Sequence, residues 1–337
     1  MAIQPSSPND ELGHGAATPS SRRQRTSVST VVARQAVMIL LVALSVGFSI
    51  AMPDTFASWG NFRVMVTSQT IVLFLAIAAT FVLRAGEFDL SLGSVMAFTA
   101  VALGVLTEHG VNLTLSLVIV LLAGALIGLV NGVLVVRLRV NSFIATLGML
   151  TVLSGATFAL TGGRRADVYP AGLQDAVNKE ILGLPALTYA GWLLVIVVWY
   201  VYEKAPVGRM LLFTGGNPEA ARLSGIPVDR LKITSFLVAA VLSAVAGLLI
   251  AGYLGSVDPG IGSSYLMTPF AAAFLGATTI EVGRYNAFGT FVGLCLLTVG
   301  ITGLQLMGGA LWVSDVFNGA ALIVAVVFGM AVGRARG

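Results

Sequence analysis

The chain has 337 residues, of which 57% are hydrophobic and only 10% charged, with a formal net charge of +4. A soluble domain carries about 25% charged residues, so these charges are too few to cover a water-exposed globule and the chain reads as an integral membrane protein. Cys295 is the single cysteine and the two histidines, His14 and His109, stand in separate polar segments, which excludes a disulfide framework and argues against a Cys/His metal site.

Residues 1–31 are rich in Ser, Thr, Pro and Arg without an apolar period, and are expected to form a disordered cytoplasmic tail. Ser21-Arg22-Arg23-Gln24 resembles a twin-arginine export signal, but the apolar run after it is long enough to stay in the membrane as an anchor. Ten apolar segments follow, near 32–52, 64–83, 92–107, 113–136, 143–160, 187–202, 233–254, 267–280, 288–307 and 312–332. They are continuous, without the two-residue alternation of barrel strands, so the expected fold is all-α. Residues 32–333 form one transmembrane domain of about ten helices. The third and eighth segments are short for the roughly 20 residues that a crossing needs.

With ten spans and both termini inside, the cytoplasmic side collects all of the 19 Lys and Arg residues except Arg63, Arg164, Arg165 and Lys179. Such asymmetry is the signature of orientation in a bilayer, and it puts the polar loop 203–232 in the cytoplasm. Glu87, Asp89, Asp258, Glu281 and Asp315 all fall at or near span ends. An ion-coupled carrier keeps an ionisable group in the membrane interior, so energy is expected to come from outside the bilayer. The chain does not supply it: a phosphate-binding P-loop needs Gly-Lys before Ser or Thr, and Lys179, Lys204 and Lys232 follow Asn, Glu and Leu. No nucleophile–base pair is apparent either, so no catalytic residue is assigned.

The loop contains a helix with its own punctuation. Asn217 suits the N-cap, Pro218 the first helical position and Glu219 the positive helix end. Gly225 fits the left-handed position past the end, and Pro227 stops continuation. A second marked stretch, Gly86-Glu87-Phe88-Asp89-Leu90-Ser91-Leu92-Gly93-Ser94, joins two apolar runs; Asp89 or Ser91 is a candidate cap for the third helix. A third, Asn141-Ser142-Phe143-Ile144-Ala145-Thr146-Leu147-Gly148-Met149-Leu150, opens the fifth span with Asn141 or Ser142 as cap. By physics alone each stretch also fits an ordinary capped turn.

Taken together, these stretches resemble the sugar-importing ABC permeases of the ribose, xylose and arabinose type. The family writes GGIDLSVGS where this chain has GEFDLSLGS, and PSFIVTLGML where it has NSFIATLGML. Its loop GGNPEAARLSGI is matched letter for letter by Gly215–Ile226. Residues 271–279 and 289–293 resemble its AAVVLGGTS and GTLIGA elements more loosely. Glu87, Phe88 and Asn141 depart from the pattern, replacing Gly, Ile and Pro.

The resemblance implies a permease subunit in the bacterial inner membrane that imports a monosaccharide or related polyol. It implies two inverted-repeat halves (spans two to five and seven to ten) and a cytoplasmic coupling helix. Gly216, Asn217, Glu219, Ala220, Ala221, Arg222, Ser224 and Gly225 would contact a separate ATPase subunit, which would hold the ATP and magnesium; no cofactor is expected on this chain. An extracytoplasmic sugar-binding protein, a second permease copy and membrane lipid are the other partners implied, with no role for nucleic acid. Gly86, Glu87, Asp89, Ser91 and Gly93 would lie near the translocation path. Gln69, Thr70, Asn131, Thr146, Asn286 and Gln305 are the polar residues in or near spans from which a neutral solute could take hydrogen bonds, although each also suits a helix–helix hydrogen bond. The alternative is a secondary carrier or facilitator working without an ATPase.

Overall fold

The computed structural model describes residues 28–310 and 312–334. The tail expected over 1–31 and the basic pair within it lie almost wholly outside them. Ten apolar helices account for the ten segments: α1 (Val28–Ala51), α2 (Trp59–Arg84), α3 (Leu92–Glu108), α4 (Leu113–Val136), α5 (Ser142–Thr161), α7 (Ala186–Glu203), α10 (Val228–Leu254), α11 (Met267–Ala277), α12 (Ala287–Leu306) and α13 (Trp312–Arg334). Between them stand α6 (Ala171–Asn178), a two-residue hairpin of β1 (Glu180–Ile181) and β2 (Leu184–Pro185), and a helix pair, α8 (Pro206–Gly216) and α9 (Pro218–Leu223). α2, α4, α5, α7, α10 and α12 are each long and apolar enough to cross a bilayer by themselves, whereas α3 and α11 are shorter, with 17 and 11 residues. The short α3 and α11 are each preceded by irregular chain, residues 85–91 and 255–266, the latter containing a 3-10 turn at Ile261–Tyr265.

The loops sort the helix ends into two sets. At one end, Arg63 pairs with Glu180, Arg165 with Asp258, and the backbones of Ala166 and Val257 form a bridge. At the other, Arg84 reaches the carbonyls of Tyr202 and Tyr285, Lys232 reaches Glu87, and Phe88 bonds to Ser142. The second end therefore gathers the finish of α2 and α7 with the start of α5, α10 and α12, as ten alternating spans require. Arg63 and Arg165, two of the four basic residues assigned to the outer side, share the first end.

The halves pack as partners under exchange. α3 lies on α5 as α11 lies on α13; α3 lies on α10 as α11 lies on α2; α4 lies on α10 as α12 lies on α2. The two interrupted spans meet backbone to backbone, because a Cβ on Gly93 would fall 2.5 Å from the carbonyl oxygen of Gly262. The core of the bundle is formed where α2, α3 and α10 cross, with Leu75, Met96, Phe236 and Ile250 wholly buried.

Small residues set the closest approach. Gly124, Gly128 and Gly132 recur every four residues along one face of α4, which packs on α10. In lipid, helices gain little from hydrophobic burial, and close van der Waals contact between small residues takes over. Gly128→Leu should strip α4 from α10, since its Cβ would lie 2.7 Å from Ala240 Cβ and 2.7 Å from the Phe236 carbonyl oxygen. Overpacking of this kind costs about 1–3 kcal/mol or more. Gly148→Leu on α5, with nothing within 4 Å, is the control: thermal unfolding in detergent should fall for the first and hold for the second.

Candidate functional site

The helix pair α8–α9 is fixed to the bundle on one side and free on the other. Glycine makes the fixed side. A Cβ on Gly208 would lie 2.4 Å from the carbonyl oxygens of Val201 and Tyr202, so α8 begins directly against the end of α7. A Cβ on Gly215 would lie 2.3 Å from the carbonyl oxygen of Arg84, and one on Gly86 3.2 Å from Gly215 Cα. The finish of α8 thus rests on the finish of α2. Gly216 and Gly225 face open space.

α9 carries the punctuation read from the sequence. Asn217 Oδ1 accepts from the Ala220 amide at 3.0 Å, and Pro218 occupies the first turn. Past the end, the Gly225 amide donates to Arg222 O and the Ile226 amide to Ala221 O, with Gly225 at φ +80°. These paired bonds and the left-handed glycine form a Schellman cap. Arg222 pairs with Asp229 at 2.6 Å, Ser224 Oγ donates to Ala220 O, and Ala221 is buried while Leu223 is 91% and Phe213 60% exposed. Two large apolar side chains exposed on a well-capped polar unit are the kind of surface that a partner covers. The sequence showed α9 but not α8, which hides among Gly208, Gly215 and Gly216; nor did it show that Gly215 is a contact rather than a hinge.

Below this mount, α2 stops with the same Schellman geometry. The Gly86 amide donates to Leu83 O, the Glu87 amide to Val82 O, and Gly86 sits at φ +81°. The unwound segment that follows takes its bonds from side chains of other elements. Ser142 Oγ accepts from the Phe88 amide at 3.3 Å and Thr146 Oγ1 from the Leu90 amide at 3.1 Å. Asn141, not Ser142, caps α5, accepting from the amides of Phe143 and Ile144; Ser142 is thereby left for Phe88. Ser91 stands at the N-cap of α3 without a side-chain cap bond. Instead its amide and hydroxyl both donate to Asp89 Oδ1, at 2.9 and 2.6 Å, while Asn131 Nδ2 donates to Ser91 Oγ at 3.0 Å. Two of the three departures from the resembled pattern have partners far along the chain: Glu87 pairs with Lys232 at 2.5 Å, and the Phe88 ring stacks 6.4 and 6.2 Å from Phe270 and Phe274 of α11.

Arg84, which the sequence used only as one of many inner charges, is 4% exposed. Its guanidinium donates to Tyr285 O at 2.9 Å and Tyr202 O at 3.4 Å, and lies 4.2 Å from the centre of the Tyr202 ring. The Tyr202 and Thr80 hydroxyls share a hydrogen bond of 2.8 Å. One cation therefore binds the ends of α2 and α7 and the entry to α12. Its only sequence signal is a basic residue closing an apolar run.

The six polar candidates separate into three places. Asn131 and Thr146 support the unwound segment. Gln69 and Thr70 line a cavity of about 790 Å³ between α1, α2, α7 and α12, beside Trp59, Phe62 and Trp192. Asn286 caps α12 and Gln305 is exposed near its far end. The cavity lining includes Ser45, Ser49, Ser58 and Thr298 and no charged residue.

Fold and site together define a polytopic helical membrane protein that presents a rigidly mounted polar helix at one end. Among the described residues no group of three or more His, Cys, Asp and Glu side chains could hold a metal. A family model described as branched-chain amino acid transport system / permease component matches residues 61–326, and the chain belongs to this permease family. It is a transport subunit, not an enzyme. Relatives include the autoinducer 2 import system permease protein LsrD of Escherichia coli K12, of Escherichia coli O157:H7 and of Shigella flexneri. Each is 34% identical over 274 residues, 79% of this chain and 83% of the relative.

The sequence put Asp89 at a span end, but the structure seals it, at 1% exposure, between α2 and α3. Its Oδ1 accepts from the Ser91 amide and hydroxyl, and among the described residues no cation pairs with it. Asp89→Asn keeps an oxygen for Ser91 and should hold the melting temperature in detergent, whereas Asp89→Ala removes the acceptor of two buried bonds and should lower it; equal melting of the two variants would contradict the role.

Proposed function

We propose that this chain is the membrane subunit of an ATP-driven importer in the bacterial inner membrane, with α9 as the element that an ATPase subunit grips. The observation that carries this reading is the two-sided mount. Gly208 and Gly215 leave no clearance between α8 and the bundle, while Phe213 and Leu223 stand free. A force applied at α9 has no slack to take up before it reaches α2 and α7. The positive-inside asymmetry supports a cytoplasmic position for this end, where ATP is. ATP and magnesium belong to the partner, an extracytoplasmic binding protein delivers the solute, and a second permease copy completes the channel.

The solute is a neutral monosaccharide or related polyol. Residues 215–226 repeat the loop of sugar importers, and relatives carry autoinducer 2 in their names. The family description names branched-chain amino acids, but a zwitterion leaving water needs partners for both charges. The uncharged cavity beside Gln69 and Thr70 offers hydroxyls, an amide and aromatic faces instead, and those serve a polyol.

One observation favours the rival carrier: a sealed carboxylate without a countercharge at Asp89 is the type of group that proton-coupled carriers use. Uptake into vesicles by the chain alone, driven by a pH gradient, would establish that rival. For the importer, Leu223→Asp and Gly225→Val should each reduce capture of the co-expressed ATPase and ATP-dependent uptake at least tenfold, with membrane insertion unchanged. The first changes the free surface. The second forces a branched residue to φ +80°, a conformation costing about 1–2 kcal/mol. Full uptake by both variants would refute the docking role.

A further inference from the structure

The contact between α8 and the unwound segment is a contact between two glycine backbones. Such a contact transmits a push, because atoms resist overlap, but it offers almost nothing against separation. If α9 is driven by an ATPase, as proposed above, the movement must also be carried back. Something has to pull.

We infer that the Glu87–Lys232 ion pair is that tie: Glu87 and Lys232 are positioning residues that carry the return movement of the α8–α9 mount to the segment holding Asp89. The chain of contacts is continuous. Arg222 on α9 pairs with Asp229 in the first turn of α10. Lys232 lies three residues further, on the same face of the helix. Its Nζ donates to Glu87 Oε1 at 2.5 Å, and both side chains are only 16% exposed. From Glu87 the chain runs directly into Phe88, bonded to Ser142 and stacked on Phe270 and Phe274, and then into the Asp89–Ser91–Asn131 knot.

The Arg222–Asp229 pair is about half exposed on both partners, and such pairs contribute little, so α9 is held to α10 mainly by the short capped connection of residues 224–227. The Glu87–Lys232 pair is shielded, so losing one partner leaves a poorly solvated charge. It also borders a polar cleft of about 550 Å³ that Arg139, Arg222 and Asp229 complete. Packing is open on that side, leaving the ion pair to bridge it.

Hydrogen exchange of the permease bound to its ATPase, with and without ATP, separates the tie from the reading beneath it. In the wild type, ATPase binding should slow exchange in residues 215–226, and ATP should change exchange in residues 85–91. Glu87→Lys and Lys232→Glu should each keep the first effect and reduce the second at least fivefold. The double reversal should restore it to within twofold, and Lys232→Arg should behave as wild type. Glu87→Gln serves where a reversed charge prevents folding. Single variants with a full ATP response at 85–91 overturn the tie, as does a double reversal that fails to restore it. An ATPase that leaves 215–226 unprotected in the wild type overturns the importer reading, and the tie falls with it.

Discussion

A chain that unwinds inside an apolar bundle must find partners for backbone groups that water would otherwise satisfy. Residues 85–91 do this between α2 and α3, and much of the surrounding chemistry follows from that need. Ser142 and Thr146 accept the amides of Phe88 and Leu90; Asp89 accepts that of Ser91; Asn131 reaches over from α4 to hold the Ser91 hydroxyl. These polar groups sit in apolar helices because the unwound backbone needs them. The second interrupted span, entered through residues 255–266, meets the first at Gly93 and Gly262. Spans broken at corresponding positions in two halves are where transporters build their moving parts.

The glycines work in two ways that composition does not distinguish. At Gly86 and Gly225 the backbone is left-handed, and glycine ends a helix without strain. At Gly208, Gly215, Gly128 and Gly276 it is the missing side chain that matters, since a Cβ would fall within 3 Å of a neighbouring segment. The second group makes the α8–α9 mount stiff and lets α4 lie flush on α10. Arg84 ties together the elements beneath the mount, the ends of α2 and α7 and the entry to α12. Its place beneath Gly215 explains why a cation is tolerated at 4% exposure: two carbonyls and an aromatic face replace its water.

Much of the architecture was legible from the sequence. Ten apolar runs became ten helices, because continuous hydrophobicity leaves helical backbone as the economical way to satisfy every peptide group. Asn217, Pro218 and Gly225 also took the roles that their side chains and backbone freedom suggest, because capping is local. What was not legible depended on partners distant in sequence. Lys232 meets Glu87 across 145 residues, and Gly215 meets Arg84 across a similar span. Asp89 looked like a span-end residue and proved sealed, since linear position does not reveal which elements cover a segment between two helices. The hairpin at 180–185 and α6 fell in a polar stretch without period. Gln69, Thr70, Asn131, Thr146, Asn286 and Gln305 lie at a cavity, a backbone support and helix ends, places that residue type alone does not distinguish.

The central claim is that the α8–α9 mount faces the cytoplasm and is held there by an ATPase. Leu223→Cys, in a Cys295→Ser background, tests it with a membrane-impermeant maleimide. Position 223 should be labelled in inside-out vesicles and not in right-side-out ones, and the bound ATPase should shield it. Labelling from the outer face, or labelling inside that the ATPase leaves untouched, would contradict the account.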